Sequence, residues 1–289
     1  MDFVSQTFVI GLTEQAPLAL AALGFAVLYR LTGLVNVAYA ETITLGAYLG
    51  MWINTTFGLG FYESIVPAAL LTGVLSVTTY VVIFRPAKKR CVGPTELIIM
   101  SFGLSVLLRN ALQFVFGYEI VFFNVPPPTY TDVLGVGITS FDISAVVIVV
   151  ALTVLLSLFI QKSKWGKQIR ALANDEALAQ VSGINPLAVT MMVWFFAGIA
   201  GGLAGGFFGV KASVYPDLGW DRFLLLLLVV LVGGSRSIWG VVLAAFGAGL
   251  VLSGLTLALN PGYALFVLLI VFVAILKQRR NPALEAAKV

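Results

Sequence analysis

Glu41 is the first residue in this sequence whose chemistry stands out against its surroundings. It is a carboxylate set among Asn36, Tyr39, Thr42 and Thr44, inside a stretch that is otherwise apolar. An acid surrounded by amide and hydroxyl groups can exchange a proton, attract a cation or pair with a buried base. Arg109, deep in a separate apolar run, is the base that could answer it. Ionisable groups in such settings are expensive unless they face a cavity or a partner. Each therefore has two readings. Glu41 either lines a pathway or is a locally buried acid hydrogen-bonded to a neighbouring helix. Arg109 either pairs with Glu41 across that pathway or snorkels to the membrane interface. Other chemistry is excluded. There is no histidine, so no Ser–His pair can form and the commonest proton shuttle and metal ligand is missing. The single cysteine, Cys91, rules out an internal disulfide and a multi-cysteine metal site. No G-x-x-x-x-G-K-[ST] stretch is present to cradle nucleotide phosphates. No catalytic residue, no metal and no nucleic-acid partner is expected.

The elements that must position these groups are membrane helices. Of 289 residues, 60% are hydrophobic and 10% charged, whereas a soluble domain is about a quarter charged. Apolar runs long enough to cross a bilayer as helix recur throughout. The expected fold is an all-α polytopic membrane protein, with spans at roughly 8–29, 33–53, 64–84, 95–116, 142–160, 187–209, 221–234, 238–258 and 262–276. The seventh run is short and is interrupted by Gly233 and Gly234. With the eighth it can form a broken or re-entrant element, so the expectation is eight or nine transmembrane helices. Met1 to Phe8 has no basic residue, so no cleavable signal peptide is expected. Basic residues gather at Arg85–Arg90, at Lys162, Lys164, Lys167 and Arg170, and at Lys277, Arg279 and Arg280. With nine alternating spans, the positive-inside rule puts these loops in the cytoplasm, the N-terminus outside and the C-terminus inside. The loop from Gly117 to Ser140 then lies outside, and Pro126–Pro128 stiffens it against helix formation.

Two patterns concern packing. Gly198, Gly202 and Gly206 form one small-residue ladder, and Gly201, Gly205 and Gly209 form another. Such ladders let helix backbones approach closely, either within the subunit or at a homodimer face. A weak internal repeat is also visible. Gly33 and Gly46 have the same separation as Gly234 and Gly247, with Arg30 and Arg236 near the respective starts, as in transporters built from repeated halves. A third segment, at about 163–185, is rich in helix formers and closes on Gly183 and Pro186. It reads either as an interfacial helix or as a docking helix for a cytoplasmic partner.

Three ordered motifs resemble the membrane-spanning permeases of bacterial branched-chain amino acid ABC importers. They are Gly33-Leu-Val-Asn36-Val-Ala-Tyr39-Ala-Glu41 with Leu45-Gly46-Ala47-Tyr48, then Arg170-Ala-Leu-Ala173-Asn-Asp175-Glu176-Ala177 with Gly183, then Gly233-Gly234-Ser-Arg-Ser237-Ile-Trp-Gly240. The resemblance covers roughly Leu18 to Leu276 and implies a single permease domain over 1–289 in the bacterial inner membrane. It implies a translocation pathway touching Asn36, Tyr39, Glu41, Thr42, Thr44, Arg109 and Ser237. It implies that Arg170, Ala173, Asp175, Glu176, Ala177 and Gly183 couple to an ATPase, and that Gly33, Gly46, Gly198, Gly202, Gly206 and Gly234 serve helix packing. The expected partners are a second homologous permease, two cytoplasmic ATP-binding subunits that hold the ATP and Mg, a periplasmic substrate-binding protein, membrane lipid and an amino acid substrate. Val37, Tyr39 and Ala40 depart from the Phe, His and Gly common in the first motif, and Arg236 and Trp239 from the Gly and Pro common in the third. These departures leave room for a substrate range broader than leucine, isoleucine and valine, extending to other neutral amino acids. An importer of urea or short amides, and a proton-coupled secondary transporter using Glu41, remain the alternatives.

Overall fold

A computed structural model describes residues 3–133, 135–234, 237–258 and 261–286. Among the described residues, the regular elements are helices apart from one β-hairpin. Helix α1 (Phe3–Glu14) runs into α2 (Ala16–Thr32), with a bend of 46° between them. Gly33, at φ +64°, ends α2 by donating its N–H to the Tyr29 carbonyl at 2.8 Å. Such left-handed caps suit glycine because it has no Cβ to clash. After a non-helical stretch, 33–38, the chain resumes as α3 (Tyr39–Phe57). Helix α4 (Phe61–Thr79) passes through a π-helical turn at Tyr80–Phe84 into α5 (Arg85–Lys89), and α6 (Pro94–Phe116) follows. Strands β1 (Tyr130–Val133) and β2 (Val136–Thr139) pair antiparallel in the loop before α7 (Ser140–Lys162). Two short helices, α8 (Lys164–Asn174) and α9 (Glu176–Val181), precede α10 (Pro186–Lys211). Helices α11 (Leu218–Gly233), α12 (Ile238–Ala258) and α13 (Pro261–Ala286) complete the chain.

Every span expected from the sequence coincides with a helix, but not every helix meets the requirement for crossing a membrane alone. Among the described residues, five do so by length and composition, and six if the bent α1–α2 pair is one span. Helix α11 has 16 residues. The second span begins at Tyr39 rather than 33, because residues 33–38 leave the helix after the Gly33 cap. The hairpin is an element the apolar periodicity did not signal, since β1 is largely exposed.

Helix α10 is the packing centre. Its first glycine ladder faces α4: a Cβ on Gly198 would meet Ser76 and Gly73, one on Gly202 would meet Thr72 and Ala69, and one on Gly206 would meet Ile65. Its second ladder faces α3, where a Cβ on Gly201 would strike Thr42 and one on Gly205 the Ile43 carbonyl. Gly46 answers from α3, with the Gly202 backbone where its side chain would be. The ladders are thus spent on internal packing, the first against α4 and the second against α3 and, at Gly209, against Val214 and Phe123. The repeat is only partly expressed. Gly234 ends α11 at φ +81°, as Gly33 ends α2, but no atom lies near the Cβ position of Gly247, whereas Gly46 is tightly enclosed. Ser235 and Arg236 lie outside the described residues.

Lysine–carboxylate pairs join helices at both ends of the bundle. At one end Lys211 of α10 pairs with Asp142 of α7 at 2.6 Å and with Glu14 of α1 at 3.5 Å. Thr139 and Asp142 form a capping box that starts α7 beside the hairpin. At the other, basic end, Lys88 of α5 pairs with Glu176 of α9 at 2.5 Å. This geometry predicts opposite outcomes for two glycine substitutions. Gly205→Ala should lower the thermal midpoint of the purified chain in detergent, because overpacking costs roughly 1–3 kcal/mol. Gly103→Ala, with no neighbour near its Cβ on α6, should leave it unchanged or raise it, alanine being favoured over glycine in a helix by about 1 kcal/mol.

Candidate functional site

The polar stretch that begins α3 divides by helical periodicity into two faces. Residues three and four apart share a face, so Glu41, Thr44 and Tyr48 look one way and Tyr39, Thr42 and Gly46 the other. The second face packs into the bundle. The Tyr39 hydroxyl is directed at the Ala21 carbonyl of α2, 2.9 Å away, and the Ala197 carbonyl of α10, 3.2 Å away. Thr42 donates to the Tyr39 carbonyl at 2.6 Å and lies against Gly201. Both residues are buried, and their contacts join α3 to α2 and α10.

The first face looks onto α6 and α11 and carries the charges. The Glu41 side chain is fully buried. Its Oε1 accepts a hydrogen bond from Ser105 Oγ at 2.7 Å and lies 3.5 Å from Arg109 Nη2. Arg109 Nη1 reaches Asp217 Oδ1 at 3.0 Å. The guanidinium also lies over the Trp220 ring, 4.4 Å from its centroid. Arg109 therefore bridges two carboxylates from different elements while an aromatic face covers it, an arrangement suited to a planar, weakly hydrated cation. Both carboxylates sit where helices begin: Glu41 in the first turn of α3 and Asp217 just before α11. The positive end of a helix dipole favours negative charge there. Thr44 ties the two helix starts together, its Oγ1 accepting from the Gly219 N–H at 3.0 Å.

Helix α6 supplies a polar stripe to this seam. Ser101, Ser105 and Arg109 follow at i, i+4 and i+8. Ser101 accepts from the Val37 N–H at 3.1 Å, satisfying a backbone donor in the broken segment. Ser105 is the midpoint of α6, about 16 Å of helix from either end. The Glu41 carboxylate is therefore held half-way along a helix long and apolar enough to span a membrane. Asn36 Oδ1, Glu41 Oε2 and the Tyr48 hydroxyl are buried with no protein partner. Asp217 is the exposed member, its side chain 48% accessible.

Other residues singled out from the sequence lie elsewhere. Ser237 is exposed at the start of α12, where its Oγ accepts from the Gly240 N–H at 3.0 Å. The 16-residue α11, roughly 24 Å long, leads from the Asp217 end to that turn. The segment 163–185 is two helices rather than one, because Asp175 leaves helical geometry and caps α9 by accepting from the Leu178 N–H at 2.9 Å. Arg170 donates to the Ile160 carbonyl, holding α8 against the end of α7. Ala173 is half-buried and Ala177 exposed, beside Leu178 at 66% and Val181 at 87% exposure. Gly183 turns the chain at φ +81° towards α10. The Lys88–Glu176 pair borders a cavity whose walls include Thr32, Tyr80, Leu172 and Trp194. Among the described residues, no group of three or more metal-ligating side chains gathers.

Asp217, Trp220, Ser101 and Ser105 were not singled out from the sequence. The i, i+4, i+8 spacing on α6 was the available signal for the serines. Asp217 and Trp220 precede the seventh expected span, which begins at 221, whereas α11 begins at Leu218.

Residues 7–276 match the family described as the permease component of the branched-chain amino acid transport system. The chain is 26% identical to the high-affinity branched-chain amino acid transport system permease protein LivH of Escherichia coli K12, over 90% of this chain and 87% of that one. It is also 26% identical to BraD, a permease protein of the same description from Pseudomonas aeruginosa, over 84% and 83%. It is 24% identical to LivM of Salmonella typhimurium, over 77% and 57%. No solved structure matches.

The buried Arg109–Glu41 contact predicts that substitutions at the two positions are non-additive. Arg109→Gln leaves Glu41 buried without its cation and should destabilise the chain by roughly 3–5 kcal/mol. Adding Glu41→Gln should recover part of that loss. Thermal unfolding of the single and double variants measures the coupling, and strict additivity would rule it out.

Proposed function

The chain belongs to the family of permease components of branched-chain amino acid transport systems, and from that premise we propose that it is one of two membrane subunits forming the pathway of a bacterial ABC importer for branched-chain and other neutral amino acids. The observation that carries this reading is the charged seam at the middle of α6. Transporters commonly build their central site where helices are broken and their N-terminal ends meet. Here two helices begin at one arginine, and the seam is partly exposed on this subunit at Asp217. In the proposed assembly that exposed side faces the second permease, so that the path runs between the two chains. The match to both LivH and LivM supports a pair of related permeases.

The basic end is the cytoplasmic end in this reading. Its α8–α9 unit meets an ATP-binding subunit through Ala177, Leu178 and Val181, which would otherwise leave apolar surface in water. ATP and Mg are held on that subunit. The hairpin end faces the periplasm and receives the substrate-binding protein. Glu41 and Arg109 act in the wall of the path: as a locked pair they leave little free charge to capture a zwitterion, which suits brief contact with a substrate selected elsewhere.

Reconstitution of the complete importer in vesicles tests this. Uptake of leucine should require the ATP-binding subunits and ATP, and uptake that persists without them would establish a secondary transporter instead. Ala177→Trp should abolish uptake while leaving membrane insertion and thermal stability of the chain unchanged. Glu41→Gln should alter the rate of uptake or its dependence on pH.

A further inference from the structure

A second cavity, larger than the one beside Lys88, lies away from the charged seam. It is a groove of about 340 Å³ between α2, α7 and α10, and α8 closes one end of it. None of its lining residues carries a polar side chain. A zwitterionic amino acid would lose its hydration there and gain no hydrogen bond, so the groove does not suit the transported substrate. It runs along α7 from Leu152 to Ile160, about 12 Å of helix. Its rim is open, with Leu155 at 60% and Phe196 at 44% exposure. Both α7 and α10 qualify as membrane spans, so an open apolar slot between them faces hydrocarbon.

The end of the groove has a distinct chemistry. Ile160 and Ile169 line it where α7 passes into α8. Between those two residues the chain exposes Lys162, Lys164, Trp165 and Lys167. Arg170, the remaining cation there, is occupied by the Ile160 carbonyl. Helix α8 buries Ile169 and Leu172 while its lysines point outward, the division of an interfacial helix. Exposed tryptophan belongs at the same level of the bilayer.

We propose that this groove holds an acyl chain of one anionic phospholipid, whose phosphate is gripped by Lys162, Lys164 and Lys167. The apolar slot selects a hydrocarbon chain and the lysines at its end select negative charge, so one lipid satisfies both. The site fastens α8, and with it the proposed ATPase contact, to the membrane surface. This last consequence rests on the functional reading above; binding of the lipid itself does not.

Native mass spectrometry of the full-length chain, released from detergent after titration with phosphatidylglycerol or phosphatidylcholine, tests the site directly. Phosphatidylglycerol should be retained at one molecule per chain in preference to phosphatidylcholine. Ala200→Phe, which fills the slot, and Leu155→Trp, which narrows its mouth, should each weaken retention. Changing the three lysines to glutamine should weaken it by roughly fivefold per lysine removed, the size expected for a basic group beside an anionic headgroup. Equal retention of the two lipids, or full retention in both slot variants, would overturn the proposal. So would cross-linking of a Leu155→Cys variant to another protein subunit in the assembled importer, which would show the groove covered by protein.

Discussion

The backbone-to-backbone approach of α10 to α3 and α4 is the constraint on which the rest of the arrangement depends. In a membrane the hydrophobic effect drives helices together only weakly, so close fit and interhelical hydrogen bonds must do most of the holding. Two offset ladders of glycine let α10 fit into the angle between its neighbours, where even one methyl group on Gly205 or Gly46 would run into backbone. Once that fit is made, the start of α3 is no longer free. Tyr39 is drawn between the Ala21 carbonyl of α2 and the Ala197 carbonyl of α10. The helix is thereby made to begin inside the bundle, and the non-helical segment 33–38 must find partners at that depth, as Val37 does in Ser101.

The charge pattern of the seam is a consequence of starting helices inside apolar surroundings. Each start exposes unpaired N–H groups and the positive end of a dipole. Glu41 and Asp217 supply negative charge at those two starts, and Arg109 bridges them. Lysine would serve less well, because the geometry asks one group to reach two acids while lying flat on Trp220. The bundle thus uses a polar triad where a soluble protein would use water.

Much of this organisation was legible in the amino-acid sequence. Gly198–Gly209 announced close packing because small residues at four-residue spacing give an apolar helix a face that another backbone can touch. Glu41 and Arg109 stood out because charge is rare at such positions, and the structure brings the two together. The division of labour within 36–44 was harder to see. Tyr39, Thr42, Glu41 and Thr44 look equally polar in sequence, but only the helical phase from an internal start separates the interior-facing pair from the pair that meets α6 and α11. Asp217 was hidden for a related reason. It belongs to a helix too short to register as a full span, so its position relative to Arg109 depends on tertiary fold rather than local pattern. The hairpin and the break at Asp175 were missed because turn and cap chemistry decided them, not apolar periodicity.

The π-helical turn at Tyr80–Phe84 acts as an angular offset in a continuous rod. A π turn accommodates one extra residue without breaking the helix, and one residue corresponds to about 100° of rotation. The portion before it presents Thr72 and Ser76 to α10, and Tyr80 and Phe84 both lie against Trp194. Everything beyond is turned relative to an uninterrupted α-helix, including the short basic stretch that ends in Lys88 and Lys89. The side of the rod from which Lys88 reaches Glu176 is therefore set by a counting irregularity several residues away. Removing a single residue from that turn would redirect the basic tip around the helix axis while leaving the glycine-packed half in place.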